Sequence, residues 1–172
     1  MESILQKQEA NDYGEQFQNH LLEIYKLYVN TAEKISDRRQ SANSFFLSVN
    51  TAIMAVIGYI LGLTNGEATK GFYWWLILIT LAGIIICYAW FRLIQSYKQM
   101  NLGKFSVIHN IEKLLPISPF IAEWKALGEG KDSKKYLLFT KVEQKVPWAF
   151  LLMHIVAFIT AVIKVSGCKT LF

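Results

Sequence analysis

Residues 33–63 read EKISDRRQSANSFFLSVNTAIMAVIGYILGL and change from a charged segment to an apolar one without interruption. No charged residue follows Arg39 within this stretch. The polar residues Ser36, Asn43 and Asn50 recur every seven residues, which is two helical turns, so they share one helix face. Because amides in an apolar segment need hydrogen-bond partners, we expect a helical membrane protein that forms an assembly, and not an enzyme.

Composition supports a membrane protein. Hydrophobic residues make up 53% of the 172 residues, more than is usual for a soluble domain, and they concentrate in three blocks. The net charge of +5 fits the excess of Lys and Arg at the cytoplasmic ends of membrane helices. The two cysteines lie far apart in the sequence, and the three histidines form no cluster with them, so we expect no metal and no cofactor.

The three apolar blocks are each about as long as a membrane span, which takes about 20 helical residues. The first covers residues 45–63, and the second covers residues 72–93 with aromatic residues at both ends, as is typical of membrane interfaces. The third, residues 146–163, is either a third span or a helix packed on the cytoplasmic part, and we expect a span. Basic residues before the first block and after the second predict a multi-pass protein with a cytoplasmic N-terminus.

The predicted fold is therefore an all-α membrane protein. A long N-terminal amphipathic helix continues into a transmembrane helix, followed by one or two further spans and a helical cytoplasmic part. The expected segments are a cytoplasmic helix over residues 1–44, a transmembrane hairpin over residues 45–93, a cytoplasmic helical region over residues 94–146, and a third transmembrane helix with a C-terminal tail over residues 147–172.

Four polar residues of the opening stretch are candidates for lining a pore. Asn43 and Asn50 either form hydrogen bonds between helices, worth roughly 0.6–2 kcal/mol each, or line a water-filled centre in a ring of subunits. Arg38 and Arg39 either anchor the helix at the membrane interface or form a basic ring at the cytoplasmic mouth, which would favour anions. The sequence leaves both pairs of alternatives open.

Gly58 and Gly62 form a GxxxG pair in the first apolar block. Small residues at this spacing allow two membrane helices to approach closely. The pattern is also common by chance in apolar segments, so it indicates either specific helix packing or tolerance of glycine.

The cytoplasmic region offers three candidates for a regulatory role: His109, Glu112 and Trp124. His109 and Glu112 are three residues apart and share a helix face, where they form either an acid–base pair or an ordinary hydrogen bond. No arginine is followed four to six residues later by a histidine, as HEPN-type ribonucleases require. The lysines of this region lack the interleaved aromatic residues that stack on bases. We therefore expect either a solvated face or contact with lipid headgroups, and no direct binding of nucleic acid.

Four strings, in this order and spacing, resemble the RipA-like family of small octameric bacterial membrane proteins. They are YKLYVNTAEKISDRRQSANSFFLSVNTA (25–52), SYKQMNLGKFSVIHNIEKLLP (96–116), EWKALGEG (123–130) and FTKVEQKVPW (139–148). Within that family, the chain is most similar to the membrane accessory proteins of type VI-B CRISPR systems.

The resemblance implies a homo-octameric ring in the bacterial inner membrane, with a cytoplasmic part and a central pore. It also implies a functional partnership with an RNA-guided RNase in defence against phage, in which the ring depolarises the membrane by ion leakage. The alternatives are a membrane-anchored, HEPN-like RNase that uses His109, and a structural membrane protein that conducts nothing.

Overall fold

The computed structural model describes residues 10–63, 69–132, 135–136 and 142–167 of the chain. These residues form helices and the turns between them, and no strand occurs among them. The helices are α1 (Ala10–Tyr13), α2 (Phe17–Leu63), α3 (Lys70–Glu112), α4 (Pro119–Ala126) and α5 (Lys145–Ser166), with a 3₁₀ turn at Gly128–Gly130. The predicted all-α class is confirmed.

The longest helix is α2, which runs for 47 residues and contains the whole of residues 33–63. It is separated from α1 at Gly14, whose φ of 89° lies in the left-handed region that glycine adopts without strain. No proline occurs in α2, so nothing in its sequence removes a helical hydrogen bond. The prediction that a charged amphipathic helix continues into the first apolar block is confirmed.

Three of the described helices are long and apolar enough to cross a membrane. They are the segments Phe17–Gly62, Lys70–Glu112 and Lys145–Ser166. The third apolar block is thus a helix of spanning length. Pro147 lies in its first turn, where backbone N–H groups have no helical acceptor, so proline's lack of an N–H costs no hydrogen bond.

The chain divides into two compact units. The first unit comprises Met1–Arg39 and Ser96–Phe139, and the second comprises Gln40–Gln95 and Thr140–Phe172.

The core of the first unit forms where α2 and α3 present apolar residues at helical spacing. Leu21, Ala32 and Ile35 are buried on one face of α2, and Ile108 and Ile111 are buried on α3. The α4 helix ends before Gly128, whose φ of 70° lies in the left-handed region that ends a helix.

The second unit packs the apolar parts of α2 and α3 with α5. Ile57, Tyr73, Leu76 and Ala161 form a buried cluster in it. Other large apolar side chains of these helices point outward, as expected where the surrounding medium is lipid; examples are Phe45, Tyr59, Trp75 and Leu152.

Each of the four segments predicted from the sequence extends partly outside the described residues. The parts outside are residues 1–9, 64–68, 133–134, 137–141 and 168–172.

Candidate functional site

A buried polar cluster lies at the centre of the second unit, where α2, α3 and α5 meet around Asn50. Asn50 and His154 are both fully buried, and Cys87 is 1% exposed. The Asn50 amide nitrogen donates to the Phe46 carbonyl at 2.8 Å, which leaves its Oδ1 to face the other two helices. That oxygen lies 3.2 Å from Cys87 Sγ and 3.1 Å from His154 Nε2. One amide therefore joins three helices.

These contacts fix the hydrogen positions on His154. Because Asn50 Oδ1 can only accept hydrogen bonds, His154 Nε2 must carry the hydrogen. In the neutral ring, Nδ1 is then an acceptor, and this atom is buried without a hydrogen-bond partner among the described residues. The ring packs against Gly83 of α3, where a Cβ atom would overlap it. The site therefore needs glycine at position 83.

A second polar cluster surrounds Asn43, two helical turns before Asn50. The indole nitrogen of Trp90 donates to Asn43 Oδ1 at 2.8 Å, and the Asn43 amide nitrogen donates to Glu143 Oε1 at 2.8 Å. Phe46 stacks on Trp90 with the ring planes 9° apart. Trp90 is 2% exposed, so it packs inside the unit.

Both asparagines thus make the hydrogen bonds between helices that were one of their two predicted roles. A lipid-facing amide would lose its hydrogen bonds, and neither of these amides does. Lining a pore remains a prediction for Asn43 and Asn50.

The other candidate residues of α2, two arginines and two glycines, lie outside the two polar clusters. Arg38 is exposed in the first unit, whereas Arg39 is half-buried and makes an interaction. Gly58 and Gly62 of the second unit have no described atom within 4 Å of the position that a Cβ would take. The GxxxG pair therefore lies open on the described surface of the protomer, where close packing with another helix remains a prediction.

Glu112 forms the polar centre of the first unit. It is fully buried at the end of α3. Its Oε1 accepts hydrogen bonds from the Tyr25 hydroxyl at 3.0 Å and the Phe120 N–H at 2.9 Å, and its Oε2 accepts one from the Ile121 N–H at 3.0 Å. Glu112 thereby caps the N-terminus of α4, in place of Ser118, whose hydroxyl turns back to the Glu112 carbonyl.

These contacts change the chemistry of Tyr25. Burial, together with the hydrogen bond and negative charge of Glu112, raises the pKa of Tyr25 to about 12. The hydroxyl therefore stays protonated and continues to donate at physiological pH.

Neither of the other two candidates in the region predicted to be cytoplasmic joins this centre. His109 is half-buried with its ring 6.3 Å from that of Phe105, and it is not among the partners of Glu112. Trp124 is 37% exposed on α4. The geometry therefore supports a structural role for Glu112 and brings no acid–base pair together.

A cavity of about 200 Å³ opens on the surface of the first unit. Its floor is apolar, with Val29, Ala32 and Ile108 beside the rings of Phe105 and Phe120. Two exposed carboxylates, Glu33 and Asp37, border it. Among the described residues, no group of three His, Cys, Asp or Glu side chains could hold a metal ion.

Sequence reasoning identified Asn43, Asn50 and Glu112 but none of their partners. The signal for His154 and Cys87 was available, since each is a titratable residue inside an apolar block, and such residues usually face other helices. No local signal pointed to Gly83 or Tyr25, whose roles depend on contacts with distant parts of the chain.

The chain was compared with known proteins. Residues 22–163 match the octameric membrane protein family. Comparison with curated proteins and with solved structures gave no match.

Proposed function

The chain belongs to the octameric membrane protein family, and we propose that it forms a homo-octameric pore in the bacterial inner membrane. The match covers most of the chain, and three described helices have the length and apolar composition of membrane spans. The protein acts by ion leakage and catalyses no reaction. The basic residues that flank the first two apolar blocks favour a cytoplasmic N-terminus.

The observation that carries the proposal is the pair of polar clusters on apolar helices. Asn43 and Asn50 lie in the uncharged part of α2 after Arg39, and His154 lies within the apolar part of α5. Polar groups inside such segments usually mark a pathway for ions or protons. In the protomer the hydrogen bonds of Asn50 hold three helices together. We assign this arrangement to the closed pore, and its opening would expose the same polar groups to water.

Four residues of α2 are assigned to the pathway. Asn43 and Asn50 line it within the membrane, and Arg38 and Arg39 lie at its cytoplasmic mouth. If Arg38 pairs with a neighbouring subunit, as the docking proposed for α2 has it, the ring of Arg39 side chains supplies the positive charge that favours anions over cations.

The biological role that we propose is defence against phage. The order and spacing of the four family strings support an accessory role beside an RNA-guided RNase. Recognition of phage RNA by the RNase would then trigger depolarisation by the octamer. His109, Glu112 and Trp124 belong to the cytoplasmic region that would receive this signal.

Conduction is tested with purified octamer in vesicles that hold a potassium gradient, with a potential-sensitive dye as the readout. We expect the protein to collapse the membrane potential, and Asn43→Leu/Asn50→Leu octamers to collapse it at a different rate. Thr51→Leu, at an exposed position next to Asn50, is the matched control and should behave as the unchanged chain. Vesicles that keep their potential with the unchanged octamer would show a non-conducting membrane protein.

The defence role needs a test in cells. The chain is expressed with an RNA-guided RNase whose guide matches, or does not match, a phage transcript. Depolarisation after infection only with the matching guide supports the partnership. Depolarisation with either guide, or with neither, contradicts it.

A further inference from the structure

The part of α2 in the first unit carries two oppositely charged edges. Glu33 and Asp37 lie about 40° apart around the helix, and so do Lys34 and Arg38, because successive residues turn by about 100°. The two pairs are therefore centred about 100° apart on the helix surface. All four side chains are exposed.

The acidic edge adjoins an apolar concavity. Glu33 and Asp37 border the cavity whose floor contains Phe105 and Phe120. A partner that fills this site would bring an apolar side chain for the floor and cations for the rim.

The basic edge offers both an exposed apolar side chain and cations. Leu27 and Ile24 lie on the same side of α2 as Lys34 and Arg38, and they are 61% and 47% exposed. Large apolar side chains with this exposure, next to cations, are complementary to an apolar cavity with a carboxylate rim.

The charged side chains of both edges form no ion pair with the residues that the structure describes. In the described part of the chain, no ion pair within 4.0 Å involves Glu33, Lys34, Asp37 or Arg38. Each edge also places like charges four residues apart, an arrangement that destabilises an isolated helix. A neighbouring chain with the opposite charge would remove that repulsion.

We propose that the basic edge of one copy docks on the acidic edge and cavity of the next copy in the octamer. Such a contact is head-to-tail, because it joins two different surfaces of the same chain, and repeated by rotation it closes a ring. The heights agree. In a ring with α2 along its axis, Lys34 lies only about 1.5 Å above Glu33 of the neighbour, and Arg38 lies as far above Asp37.

The docking assigns a partner to each group. Lys34 and Arg38 pair with the two rim carboxylates of the next copy, and Leu27 lies against the apolar floor. Arg39 lies about 100° further around the helix and takes no part. The inference concerns assembly alone, so it stands whether or not the octamer conducts.

Charge reversal tests the docking with the full chain in detergent, and native mass spectrometry reports the assembly. The variant Glu33→Lys/Asp37→Lys has two basic edges, and the variant Lys34→Glu/Arg38→Glu has two acidic edges. Each alone should lose the octamer. Because they change the net charge in opposite directions, a loss in both cannot be ascribed to net charge.

Co-expression of the two variants gives the decisive result. Every contact in an alternating ring would again join a basic edge to an acidic edge, so a mixed octamer with equal numbers of the two variants should form. Its formation also shows that both variants fold. The exposed pair Glu129 and Lys131, reversed as Glu129→Lys/Lys131→Glu, is the control and should keep the octamer. An octamer formed by either variant alone, or the absence of a mixed octamer, overturns the proposal.

Discussion

The ring of His154 occupies the space that a side chain at Gly83 would need. The two residues lie on α5 and α3, and the contact lets the buried imidazole reach Asn50 on α2. A glycine inside a helix costs about 1 kcal/mol relative to alanine in water, so its presence at this contact indicates a packing requirement.

Gly83→Ala should therefore lower the stability of the second unit by about 1–3 kcal/mol, since the His154 ring or a backbone must shift to admit the methyl group. Thermal unfolding in detergent measures the effect. Gly103→Ala, on the same helix, is the matched control, because no described atom lies within 4 Å of its Cβ position. Equal melting temperatures for the two variants would contradict the packing argument.

Asn50→Leu should destabilise the protomer by about 1–3 kcal/mol, because the Cys87 thiol and His154 Nε2–H both lose their acceptor. Adding His154→Phe should recover part of that loss, since removing both partners of a buried hydrogen bond is less costly than removing one. Cys87→Ser keeps a donor and serves as the control. Strict additivity of the Asn50 and His154 substitutions would show that the two residues are not coupled.

Glu112→Gln should loosen the start of α4. The new amide nitrogen cannot accept a hydrogen bond, so either Phe120 or Ile121 loses its acceptor. We expect faster hydrogen–deuterium exchange at these two amides, by roughly tenfold if about 1.4 kcal/mol is lost. Glu123→Gln, at an exposed position on the same helix, should leave both rates unchanged.

The stability of the first unit should fall at high pH through Tyr25. The folded-state pKa of about 12 lies above the ordinary tyrosine pKa of 10.0, so folding favours the protonated hydroxyl. This contribution is fully present below pH 10.0 and is lost as the pH rises through about 12. Tyr25→Phe removes the titrating group, so the difference in unfolding free energy between the two chains should shrink over that interval. A difference that stays constant would assign the alkaline loss to other groups.

The helices were predictable because their signals are local. The absence of charge after Arg39 and the seven-residue recurrence of Asn43 and Asn50 determine a helix that enters the membrane with a polar face. The hydrophobic length of residues 146–163 likewise predicted α5.

The partners were not predictable because they lie far away along the chain. Asn50 meets His154 across 104 residues, and Tyr25 meets Glu112 across 87. Helical periodicity specifies which residues share a face of one helix, but not which helix covers that face. His109 and Glu112 illustrate the limit: they share a face of α3, yet the buried carboxylate bonds to Tyr25 and α4.

Cys87 gives the chain a native reporter of conformational opening. Its thiol is 1% exposed and bonded to Asn50, so a maleimide can modify it only while the three helices are separated. When closing is faster than modification, the labelling rate is proportional to the fraction of time that the bundle spends open. A stimulus that opens the octamer would then appear as accelerated alkylation at one sulfur atom, timed against an unstimulated sample.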